Sequence, residues 1–166
     1  MDRRHALAHL GRQAAALALW QLFGPAQAQS PARWPAPLGD PFTLGVASGM
    51  PRADSVVIWT RLAPQPHAPG GGLPPQAFAV RWELAEDERF SAGVRRGEFV
   101  TTPERGHAVH VEVQGLASGR PWFYRFIAGD AVSPVGRTRT APADEAMPGR
   151  LRAALASCQH YEQGWY

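Results

Sequence analysis

The stretch Trp122-Phe123-Tyr124-Arg125-Phe126-Ile127-Ala128 places Trp122, Tyr124 and Phe126 on one side of an extended chain and Phe123, Arg125 and Ile127 on the other. Aromatic side chains bury roughly 150–250 Å² each, so this strand is expected at the centre of a core. Working outward, Phe78, Val80, Trp82 and Leu84 alternate with Ala79, Arg81 and Glu83. Val109, Val111 and Val113 alternate in the same way with His110 and Glu112. Each run sends one face inward and the other to water. Seven strands are predicted: 42–47, 55–62, 78–84, 96–101, 107–114, 122–128 and 132–140. The 16 prolines and 17 glycines punctuate short runs and argue against an all-α fold, since helix interiors tolerate neither residue. Short strands separated by turn signals predict an all-β sandwich.

Leu116-Ala117-Ser118-Gly119-Arg120-Pro121-Trp122 resembles the corner before the sixth strand of fibronectin type III domains, where a leucine, a turn glycine and an aromatic recur. That aromatic is usually a tyrosine bonding back to the main chain; here it is Trp122, whose indole donates but cannot accept. In the strand 55–62, Val56, Ile58 and Leu62 lie opposite Val57 and Trp59, so both faces are apolar. A loop or an adjoining domain is expected to cover the second face.

Residues 1–28 read as an export signal, with Arg3-Arg4 and Arg12 ahead of an apolar run and Ala26-Gln27-Ala28 as a small-x-small cleavage pattern. Paired arginines and Leu7 resemble a twin-arginine leader, although Ala6 stands where phenylalanine is usual. The apolar run, interrupted by Gln21, falls short of the about 20 residues of a spanning helix, so no membrane anchor is expected after cleavage. A proline-rich linker is read over 29–39, the sandwich over 40–141 and a spacer over 142–150. Without the signal, 14 arginines face 13 acids, scattered along the sequence, which predicts no nucleic-acid partner. A single cysteine forms no internal disulfide, and a monomer is expected.

His107 and His110, three apart on a strand, leave on opposite faces and cannot share a metal there. One is expected at a strand end and the other facing solvent. Gly70-Gly71-Gly72 lacks the spacing and the following helix of a phosphate loop and reads as a flexible loop. Leu151 to Ser157 reads as a further buried strand, delivering Cys158 to its carboxyl end, where ligands gather in open α/β sheets. From the residues alone, Cys158 is either a buried free thiol or a metal ligand.

The segments 42–49 (FTLGVASG), 54–62 (DSVVIWTRL), 122–126 (WFYRF), 156–159 (ASCQ) and 161–164 (YEQG) are, in order and spacing, similar to the start of the alkaline phosphatase D (PhoD-like) family. One departure is Met50, where the family usually has aspartate before Pro51. The resemblance implies a fibronectin type III-like β-sandwich of about seven strands, preceded by an export signal. It also implies that 151–166 begin a truncated α/β metallophosphoesterase domain. The parent would be an exported hydrolase of phosphate esters, periplasmic or secreted, using iron and calcium, with Cys158 as thiolate ligand of the iron. The remaining ligands would come later in sequence, so neither bound metal nor activity is expected of this chain, and the phosphate ester is met only by the missing domain. The competing expectation is a non-catalytic fibronectin-like module binding at a cell surface.

Overall fold

The computed structural model describes residues 31–32, 34–35, 38–150 and 154–155. The predicted signal, most of the strand over 151–157 and Cys158 lie outside them; Ala154 and Leu155 are exposed and belong to no element. The described residues contain no α-helix, only strands and short 3₁₀ turns.

Eight strands form two antiparallel sheets: β1 Val46–Gly49, β2 Val56–Arg61, β3 Phe78–Ala85, β4 Arg95–Thr101, β5 Ala108–Val113, β6 Pro121–Ala128, β7 Ala131–Val132 and β8 Gly136–Arg139. One sheet has the order β1-β2-β5; in the other, β4-β3-β6 continues into β7 and β8, which both pair with β6. The fourth strand pairs with the third and not with the fifth, which separates this sandwich from the constant-type immunoglobulin arrangement.

The alternation works as expected. Val56, Ile58, Val109 and Val113 from one sheet close on Phe78, Val80, Leu84, Trp122, Tyr124 and Phe126 from the other, all essentially removed from water. Two glycines make room for the aromatics: a Cβ at Gly97 would overlap the Trp82 indole, and one at Gly136 would overlap the Tyr124 ring. Both stand directly opposite the aromatic they serve. The core also reaches upstream of Asp40. Trp34 is buried against Phe78 with ring centroids 5.4 Å apart, and its indole donates to Gly39 O at 3.2 Å.

Two strand readings need correction. The run 42–47 begins as a turn, with Asp40 accepting from Phe42 N–H at 2.9 Å and Gly45 N–H donating to Phe42 O at 2.8 Å, so pairing starts only at Val46. The run 132–140 is broken, because Pro134 has no N–H to give a ladder. Ser133 bridges the break: its hydroxyl accepts from Phe126 N–H at 2.9 Å and donates to Pro134 O at 2.8 Å. Gly70-Gly71-Gly72 forms a turn in which Gly71 O accepts from Gln65 N–H at 2.9 Å.

The fibronectin-like corner is present with different chemistry. Trp122 is buried and its indole N–H has no partner among the described residues. Thr140 closes the corner instead, donating to Ala117 O at 2.7 Å and accepting from Arg120 N–H at 3.1 Å.

Met50, between β1 and β2, has φ of 47° and is 71% exposed. A left-handed backbone costs an ordinary L-residue roughly 1–2 kcal/mol, whereas aspartate and asparagine enter it readily. Met50→Asp should therefore raise the unfolding free energy by about 0.5–1 kcal/mol. The check is a higher urea midpoint with an unchanged slope.

Candidate functional site

The strand registers bring the β1–β2, β3–β4 and β5–β6 loops and the end of β8 to one pole of the sandwich. The chain leaves the fold there. Ala141 N–H donates to Arg52 O at 2.9 Å, and Ala141 O accepts from Gly119 N–H at 2.8 Å. Beyond that point Pro142 to Arg150 are exposed.

Arginines stitch this pole together. Arg95 reaches from β4 to Gln114 O at 2.7 Å and Gly115 O at 2.5 Å, Arg139 donates to Gly119 O at 2.7 Å, and Arg120 pairs with Glu86 at 3.0 Å. Within the β3–β4 loop, the Asp87 carboxylate accepts from the N–H groups of Arg89, Ser91 and Ala92 at 2.9, 3.0 and 2.7 Å. The Arg120–Glu86 pair is exposed and screened by solvent, so the effect of these contacts is to fix loop geometry more than to hold the fold.

The same loop is tied to the outer face of the larger sheet. Phe90, buried and in a left-handed conformation, lies under the Arg125 guanidinium at 4.1 Å. Arg125 and Arg96 both bond Glu83, at 2.6 and 2.7 Å. Burial works against the Glu83 charge, but the hydrogen bonds and charges of Arg96 and Arg125 outweigh it and hold the carboxyl below its usual range.

On the smaller sheet, Trp59 and Val57 are half-buried on the outer face, and Trp59 meets His110 with centroids 6.3 Å apart. His110 is exposed, and His107 lies just before β5 on the inner side, packed 5.7 Å from Phe78. The two histidines are thus separated, but not by strand alternation, because His107 precedes β5 and has a left-handed backbone. His107 has φ of 58° and its Nδ1 is buried without a hydrogen-bond partner among the described residues. Burial first, then the Arg61 charge, lower its pKa, against a smaller opposing effect of Glu104.

Cys158, the predicted iron ligand, lies outside the described residues. Among the described residues no three His, Cys, Asp or Glu side chains are grouped to hold a metal. What sequence reasoning missed is the stitched pole: its arginines are far apart in sequence, and only the strand registers bring them together.

The sequence profile of the family described as PhoD-like phosphatase, N-terminal domain, matches residues 26–142. The chain belongs to this family. It is 53% identical over 126 residues to alkaline phosphatase D of Bacillus subtilis (strain 168), a match covering 76% of this chain and 21% of that protein. The solved structure of PhoD matches with 54% identity and a TM-score of 0.63, over 65% of this chain and 20% of that one. The fn3 domain of human contactin 1 is 14% identical with a TM-score of 0.45, over 75% of this chain and 96% of that domain. The PhoD-like chain thus spans about a fifth of the length of the curated relative it matches.

Proposed function

We propose that this chain is the amino-terminal sandwich of an exported PhoD-like phosphatase whose following metallophosphoesterase domain hydrolyses phosphate esters. The observation carrying the reading is the 53% identity to alkaline phosphatase D, sustained over 126 residues. In this account the sandwich is not catalytic. Its stitched pole holds the departing chain in a fixed direction, and Cys158 supplies a thiolate to an iron centre completed by residues of the larger domain. Export by a twin-arginine leader would carry the folded protein to the periplasm or beyond.

The test compares this chain with the full-length parent, both supplied with iron and calcium and assayed on an aryl phosphate. The parent should turn over and the 166-residue chain should release nothing above blank. A parent without activity overturns the phosphatase reading; steady turnover by the short chain overturns the need for later ligands. In the parent, Cys158→Ser should lower bound iron, read by metal analysis independently of turnover.

A further inference from the structure

One shallow cleft on the sandwich is lined by two guanidinium groups and no carboxylate. It lies between Ser48 on β1, Pro121 on β6 and Arg137, Thr138 and Arg139 on β8. Two other concavities bring their own counter-charge: Arg81 shares one with Glu98, and Arg89 shares another with Asp87 and Glu88. Arg137 and Arg139 are two apart on β8 and so share the outer face, opposite the uncharged Phe123 and Pro121.

Neither arginine is ion-paired among the described residues; Glu83 is engaged by Arg96 and Arg125, and Glu86 by Arg120. Gly119 O holds the Arg139 guanidinium at 2.7 Å, which reduces the side-chain entropy lost when it meets a ligand. Among the described residues both guanidinium groups are therefore without an ion-pair partner, and that of Arg139 is partly preorganised.

We propose that this cleft binds a phosphate group, with Arg137 and Arg139 as its cationic donors. A forked guanidinium matches phosphate oxygens in charge and geometry. The cleft by itself calls for an anion; that the anion is phosphate rests on the phosphatase reading. The ligand is either free phosphate or a phosphate within a chain.

The test is calorimetric titration of the 166-residue chain with inorganic phosphate and, separately, with linear polyphosphate, across a series of salt concentrations. Arg137→Gln should bind about tenfold more weakly, as expected for loss of one charge-assisted contact. It should also reduce the slope of log affinity on log salt for polyphosphate by about one. Arg81→Gln, in the self-neutralised concavity, should bind as the parent sequence does.

Saturable binding of either probe with this pattern supports the site; polyphosphate alone points to a chain as the source, and comparable binding per phosphate points to the free ion. Absence of binding by both probes, an unaffected Arg137→Gln, or an equal loss in Arg81→Gln overturns the proposal. Because no turnover is read, failure here leaves the phosphatase reading standing, and an inactive parent leaves a measured phosphate site in place.

Discussion

Truncating Tyr124 to alanine should lower the unfolding free energy by about 3–5 kcal/mol, the range for a buried aromatic removed from a packed core. Tyr124 is only 2% exposed, meets Phe126 edge-on at 6.2 Å and lies over Gly136. Adding a methyl group at Gly136 should cost about 1–3 kcal/mol by overpacking, because the added carbon would enter the space of the Tyr124 ring. The two effects are coupled. On the Tyr124→Ala background the ring is gone, and Gly136→Ala should become close to neutral. Urea unfolding of the four proteins closes a double-mutant cycle. Additive losses would show that the ring does not require the glycine.

The second large effect is loss of stability in acid, in two stages. His107 is held neutral in the fold by burial and by Arg61, which places its folded pKa below the unfolded value near 6.5. Between those two pKa values the unfolded chain binds more protons than the native one. Stability is then complete above about pH 6.5 and falls as pH drops toward the folded pKa, at no more than about 1.4 kcal/mol per pH unit for one proton.

Glu83 acts in a lower window. Its folded pKa lies below 4.5, since Arg96 and Arg125 outweigh the burial that opposes its charge. Its contribution is present above the unfolded carboxylate range and disappears as pH falls through the folded value. His107→Asn, chosen because asparagine accepts a positive φ, should flatten the upper window, and Glu83→Gln the lower. Denaturation midpoints followed from neutral pH downward test this; a His107→Asn profile superimposable on the unsubstituted protein below pH 6.5 would exclude His107 as the source.

Much of the sandwich was legible because period-two burial is local. Phe78-Val80-Trp82-Leu84 and Trp122-Tyr124-Phe126 each declare a face without knowledge of their partners, and the structure sets those faces side by side on one sheet, turned toward Val56, Ile58, Val109 and Val113 of the other. The readings failed where a side chain took over a backbone role. Ser133 replaces a ladder acceptor beside Pro134, and Asp40 holds Phe42 in a turn that apolar content alone reads as strand.

The candidate site was less legible because its elements are charges, and the pattern of hydrophobic residues says nothing about which arginine meets which carbonyl. Arg95, Arg120 and Arg139 look scattered in sequence and converge on one pole. The αL backbone at Met50 belongs to the tertiary structure, whereas the sequence showed only a methionine before proline.

Sequence by itself determined the all-β class, the inward faces of the main strands and membership of the PhoD-like family, because alternation and motif order are written along the chain. Tertiary structure alone decided that Thr140 closes the corner, that Trp34 belongs to the core, that Glu83 joins two arginines and that Arg137 and Arg139 have no ion-pair partner among the described residues. Those outcomes depend on pairing register, which sets residues 13 to 42 positions apart side by side, as Arg96 and Arg125 are beside Glu83.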